Sequence, residues 1–150
     1  MFKKIILLIA TLFILFIALS LIVLFLNIKP KISKVLINSK EIKVEIADTP
    51  KKQYKGLSNR DSLCQDCGML FIFPDKAGRT FVMRNMLFPI DILWIDREKI
   101  VKIDEELPLP ISPEGGKYHS GQPVDYVLEV SNGFCQENNI KAGDRVEYLK

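Results

Sequence analysis

The sequence predicts a mainly β domain, a small antiparallel β-sandwich or barrel with one or two short helices, preceded by a single N-terminal transmembrane helix. Three observations predict it. Residues 35–150 hold seven or so short apolar runs, each closed by a proline, a glycine or a polar turn. Some of these runs alternate apolar and charged residues with a period of two, as Ile42, Lys43, Val44, Glu45 and Ile46 do. Ahead of them, Ile5 to Leu26 is a 22-residue apolar stretch broken only by Thr11 and Ser20.

That stretch, at about 1.5 Å per helical residue, spans a hydrocarbon core of about 30 Å. It is longer than the apolar region of a cleaved signal peptide, and its small-residue pair, Ala18 and Ser20, lies inside the run with six apolar residues still to come. Residues 1–34 are therefore expected to form an uncleaved signal anchor and a short basic tether, with the chain single-pass and the domain of residues 35–150 extracytoplasmic. Lysines flank the stretch on both sides, so charge alone does not orient it. Five of the 21 basic residues (Lys3, Lys4, Lys29, Lys31, Lys34) belong to this block. The domain keeps 16 basic against 18 acidic residues, a net charge of −2. A duplex-binding domain should carry a basic face of its own, so no nucleic-acid partner is expected.

Within the domain, Lys34–Ala47 reads as a β-hairpin turning at Asn38-Ser39-Lys40. Thr49-Pro50 reads as N-cap and first helical position and Gly56 as a stop, which bounds a short helix over Pro50–Lys55. Leu57–Asp66 follows as a loop. Three strands come next, Met69–Phe73, Thr80–Met83 and Ile90–Ile95, joined through Asp75–Gly78 and Leu87–Pro89. Arg97–Lys99 turns the chain into Ile100–Ile103. Leu107–Pro123 carries four of the eight prolines and reads as a long loop. Asp125–Val130 is a further strand, Phe134–Asn139 a helical turn, and Gly143-Asp144 a turn into a last strand, Arg145–Leu149.

Polar residues inside apolar strands carry what chemistry the sequence offers. A charge there must be paired or face water. Arg84 is expected to pair with Asp91 or Glu129 and tether two strands. The functional reading of the same residues is a polar cleft lined by Arg84, Asn85, Asp91 and Glu129, with Arg60 at its mouth. Two carboxylates and an arginine serve general acid–base chemistry, or bind a glycan or peptide, and the spacing selects neither. Cys64 and Cys67 are expected to close a local disulfide, since the strand pattern after Cys67 does not suit a redox thiol at a helix N-terminus. A zinc site would have to recruit Cys135 and His119 from distant irregular segments, so no metal is expected. No nucleophile motif accompanies His119, no phosphate-binding loop is present, and no cofactor is expected. Trp94 and the strand phenylalanines read as core.

Gly56-Leu57, Gly68–Phe73, Phe81–Asn85, Pro89–Asp96, Tyr126–Val130, Gly133 and Gly143-Asp144, in that order, resemble the family called domain of unknown function 192. The resemblance runs over about residues 35–150 and implies a compact, mostly β fold, frequently behind an export or anchor segment, without a known activity. Val82 stands where that family commonly has Trp, Arg84 where it has Lys, and Ser58 where it has Met. Three functions are consistent with this reading: an envelope-associated binding or accessory module; a hydrolase or transferase using Asp91 and Glu129 as acid and base with Arg84 stabilising charge; and a structural envelope protein with no small-molecule site.

Overall fold

The computed structural model describes residue 3 and residues 13–20, 32–111 and 115–150. It divides into two units, residues 1–31 and 32–150. In the first, residues 13–20 are helical and exposed along apolar side chains such as Phe13, Leu15 and Phe16. Among the described residues no helix is long and apolar enough to cross a membrane. Most of the predicted span, 5–12 and 21–26, and the tether over 27–31 lie outside the described residues.

The second unit is mainly β. Its elements in chain order are β1 (Lys34–Ile37), β2 (Lys40–Ala47), α1 (Pro50–Lys55), β3 (Cys67–Ala77), β4 (Thr80–Val82), β5 (Ile90–Asp96), β6 (Lys99–Leu107), β7 (Lys117–His119), β8 (Val124–Ser131), α2 (Phe134–Glu137) and β9 (Val146–Leu149). Seven strands form one curled sheet, a half-barrel, in the order β6-β5-β8-β3-β2-β1-β9, and β4 pairs with β7 in a separate two-stranded ribbon. The expectation of an antiparallel sandwich or closed barrel is corrected on two points. One main sheet does the work of two, because its apolar residues serve both faces. The sheet is also mixed, since β2 and β3 run parallel. The helix and the loop that follow β2 carry the chain back to the sheet's starting edge, and a strand entered that way must run in the same direction as its neighbour.

Local signals account for the elements. Asn38 and Ser39 both hold positive φ (49° and 67°), and Ile37 pairs with Lys40 across them. That is the two-residue turn whose twist matches a hairpin. The Thr49 hydroxyl accepts from the Lys52 amide, Pro50 opens α1, and the Gly56 amide donates back to the Lys52 carbonyl. The Gln53 side chain then donates to the Ile72 carbonyl at 2.9 Å and the Ala47 carbonyl at 3.3 Å, which pins α1 over the ends of β2 and β3. Strand β3 runs on through Pro74 to Ala77, past the predicted stop at Phe73, with a register irregularity between Ile72 and Ala77. Strand β6 extends to Leu107, and β7 forms inside the predicted long loop. Both extensions are pairings that distant segments supply.

Alternation along the strands divides the core in two. On one face Leu70, Leu93, Ile95, Leu128 and Val130 pack with Phe134, Cys135 and Val146. On the other, Met69, Phe71, Ile92, Trp94 and Val127 pack with Leu57, Met83 and Met86. Trp94 is fully buried, and its indole N–H donates to the Asp104 carboxylate at 2.7 Å.

Candidate functional site

The second face carries a cleft. It is lined by residues of β3, β5 and β8, by α1 with Gly56–Ser58, and by β4 with the residues that follow it. Strand register puts Glu45, Met69, Glu129 and Ile92 in one row across β2, β3, β8 and β5. Glu129 thus projects from the middle of the sheet towards the cleft, which has a volume of about 410 Å³. The same register pairs Asp91 with Val130, one residue along on both strands. Side chains on neighbouring strand positions point to opposite faces. Asp91 and Glu129 are therefore separated by the sheet, and the proposed acid–base pairing of the two is corrected on that ground.

Asp91 is a structural anchor. It is fully buried and accepts backbone N–H bonds from Glu106 at 2.9 Å, Gly133 at 3.3 Å and Cys135 at 3.0 Å. It thereby ties β5 to the end of β6 and to the start of α2. The Cys135 thiol beside it is pushed well up, first by burial and then by the Asp91 charge.

Glu129 is different. It is 7% exposed, and its Oε2 is buried without a hydrogen-bond partner among the described residues. Burial pushes its carboxyl up from 4.5 to about 8, and the charge of Arg60 offsets only part of that. At neutral pH the group is mostly the protonated acid, a hydrogen-bond donor as well as an acceptor. The backbone favours glycine beside it: Gly56 takes φ 46° and ψ −135°, a conformation that other residues rarely adopt, although a Cβ there would make only ordinary contact with the Phe71 ring and Glu129 Oε2. Gly68 has a similar duty in the sheet, where a Cβ would fall 2.9 Å from the Glu129 carbonyl oxygen.

Arg84 does not tether strands. It is half-buried, lines the cleft, and stacks its guanidinium 4.5 Å from the centre of the Tyr54 ring. Among the described residues it makes no ion pair with Asp91 or Glu129. Its position is set by the backbone: Ser58 Oγ donates to the Arg84 carbonyl at 2.7 Å and the Asn59 amide to the Asn85 carbonyl at 2.9 Å. Asn85 itself is exposed at φ 49°, a turn conformation that asparagine tolerates, and it does not line the cleft. Arg60 gives both its terminal nitrogens to Glu45, at 2.5 and 2.8 Å, and reaches the cleft only through its field. Cys64 and Cys67 are joined in a disulfide, with their Cα atoms 5.1 Å apart. His119 meets the Thr80 hydroxyl at 2.9 Å on the ribbon, and the described residues hold no cluster of metal-binding side chains.

Of the residues singled out in the sequence, the fold thus brings Arg84 and Glu129 to one cavity and sends Asp91, Asn85 and Arg60 elsewhere. It adds others. Phe71 and Phe81 meet edge to face with ring centres 4.7 Å apart, and Phe81 meets Trp94 likewise at 5.4 Å. Arg79 lies 4.0 Å from the Phe73 ring centre, its terminal nitrogen donates to the Asp75 carbonyl and carboxylate, and its Nε is buried without a hydrogen-bond partner among the described residues. Val82, at the position where an aromatic was missed, lines the cleft too, but flat surface is supplied by the phenylalanines next to it. From the strand pattern both Phe71 and Phe81 read as core; Phe71 is buried there, and Phe81 is half-buried against it. Nothing in that pattern separates a core aromatic from one at the floor of a cleft.

The DUF192 family model, described as uncharacterized ACR, matches residues 31–148. Among solved structures, the chain is similar to a protein of Sinorhizobium meliloti 1021 described as a candidate transcription regulator. Identity is 30% over 77% of this chain and 90% of that one, with a TM-score of 0.69. It is also similar to a protein of unknown function from Novosphingobium aromaticivorans DSM 12444, at 28% identity over 77% and 84% of the two chains and a TM-score of 0.70. No curated protein matches it.

Proposed function

The chain belongs to the DUF192 family, whose members have no established activity, and from that premise we propose that it is a binding module: a domain held at the membrane by residues 5–26 that receives a small ligand in the cleft beneath α1. The observation that carries this reading is Glu129. A carboxyl buried without a partner on the floor of a cavity lowers stability. A purely structural protein would gain by replacing it with leucine. A group of this kind is used where something enters to complete its hydrogen bonds.

Other features support the reading. The cavity volume is in the range of small-molecule sites, about 300–1,000 Å³. Its walls are aromatic and its rim is cationic. A hydrolase or transferase reading loses its second carboxylate, because Asp91 faces the other side of the sheet. The description of the S. meliloti protein raises gene regulation, but a domain with 16 basic and 18 acidic residues offers little to a phosphate backbone. The exposed apolar helix over residues 13–20 supports membrane attachment, and an extracytoplasmic setting suits the Cys64–Cys67 disulfide.

The test is a fragment screen on the full-length chain in detergent, read by the methyl signals of its four methionines. Met83 and Met86 line the cleft and report on it. Hits are expected to move these two signals in wild type and to lose affinity in Glu129→Leu. If every hit moves other signals and leaves Met83 and Met86 unchanged, the cleft is not the binding site.

A further inference from the structure

The polar atoms of the cleft describe what it would hold. Among the described residues, three buried side-chain polar atoms have no partner, and two of them, Glu129 Oε2 and Arg79 Nε, belong to the cleft lining. Glu129 and a third lining residue, Arg84, are the chemically unlike pair that sets the two ends of the cleft. Glu129 sits deep, in the middle of the sheet and against the Phe71 ring near Gly56. A neutral acid in such a place recognises an uncharged hydroxyl or carbonyl, to which it both donates and accepts. Arg84 is a cation whose guanidinium carbon lies 4.5 Å over the centre of the Tyr54 ring. Among the described residues its side-chain N–H groups make no hydrogen bond or ion pair, and the guanidinium fork matches a carboxylate. Lys55 lines the same cavity, and Tyr54 is 72% exposed, so the cationic end is the open end. Phe71 and Phe81 line the same cavity and meet edge to face, which suits a flat apolar body.

Resting on the cleft reading above, we infer that the ligand is a small ring-bearing carboxylate with a hydroxyl or carbonyl oxygen at the far end of the ring. The oxygen meets Glu129 at the floor, the ring lies against Phe71 and Phe81, and the carboxylate meets Arg84 at the rim. This narrows the glycan or peptide expected from the sequence. A neutral glycan would leave Arg84 without an anion, and the lining's Gln53 and Ser58 already donate to backbone carbonyls.

The probe is 4-hydroxyphenylacetate, with two analogues that each lack one end. Phenylacetate has no hydroxyl, and 4-hydroxyphenylacetamide has no charge. Chitobiose is the neutral saccharide control. Binding to the full-length chain in detergent is read by calorimetry and by the Met83 and Met86 methyl signals. The hydroxy acid should shift both signals. Loss of the hydroxyl should weaken binding at least about tenfold, because a buried donor is left unpaired. Loss of the charge should do the same. Arg84→Ala should weaken the hydroxy acid to the level of the amide and leave the amide unchanged, and Arg84→Lys should recover part of the loss. Glu129→Leu should erase the preference for the hydroxyl. Glu129→Gln, which keeps a donor and an acceptor, should retain it and guards against a folding defect in the leucine variant. An amide that binds as tightly as the acid, or an acid indifferent to Arg84→Ala, overturns the inference. Chitobiose shifting Met83 and Met86 while the acids do not also overturns it but leaves the cleft reading standing. If no probe shifts them, the inference fails, and the fragment screen separately decides whether the cleft binds anything.

Discussion

Glu129 keeps its proton in the fold across a range where the unfolded chain gives it up. Its carboxyl moves from 4.5 to about 8 on burial. Between those values the folded state binds the extra proton, so the contribution of Glu129 to stability is greatest below about pH 4.5, falls as pH rises, and levels off above about 8. The loss is on the order of 3–5 kcal/mol over that window. Urea unfolding at pH 5, 7 and 9 should show wild type losing more stability with rising pH than Glu129→Gln, which has no proton to release. Parallel pH profiles for the two would place the Glu129 carboxyl in an ordinary hydrated setting. Arg84 makes the opposite prediction to a buried tether. Stacked at the rim on an exposed Tyr54, it contributes about 0.5–1 kcal/mol. Arg84→Ala should leave the melting temperature within a few degrees of wild type. A fall of well over ten degrees would mark the loss of a buried pair.

At the scale of elements, two connections are set by single residues. Asp91 joins β5 to the end of β6 and the start of α2 through three accepted backbone N–H bonds. Removing it takes the acceptor from all three donors, the Cys135 amide in the core and the Glu106 and Gly133 amides partly buried, at a cost of about 1–3 kcal/mol each where water cannot replace it. Asp91→Ala should lower the melting temperature by well over ten degrees, or prevent folding. A change of only a few degrees would mean that water fills the gap. The β1–β2 turn offers the reverse. Ser39 holds φ 67° with a side chain that disfavours it. Ser39→Gly makes the favoured Asn-Gly turn and should stabilise by about 0.5–1 kcal/mol, read by denaturant midpoint. A destabilised variant would show that the serine side chain serves the turn. These two substitutions separate a contact made across the fold from one made within four residues. The second could be read from the sequence, and the first only as an unexplained charge in an apolar strand.

For the whole molecule, the expected anchor is tested by fractionation. The full-length chain should stay with membranes after a carbonate wash, and deleting residues 1–33 should release the domain into the soluble fraction. Recovery of a mature chain lacking about the first 20 residues would favour a cleaved signal peptide. The sequence by itself determined the mainly β character of residues 35–150, the first hairpin, the bounds of α1 and the family. Each of these is written in neighbouring residues, as alternation, a cap, a turn pair or an ordered set of short motifs. It also marked Arg84 and Glu129 as polar residues in apolar company. Tertiary structure decided which marked residues share a space. Asp91 and Glu129 look alike in sequence, each an acid inside an apolar run. The register of β5 on β8 turns one into the packed core, onto three amides, and the other into a cavity, where its Oε2 has no hydrogen-bond partner among the described residues. The parallel join of β2 to β3, and the ribbon of β4 with β7 that walls the cleft, were decided there too. The physical reason is the same in each case. Pairing between distant strands sets the face of every side chain, and a shift of one residue reverses it.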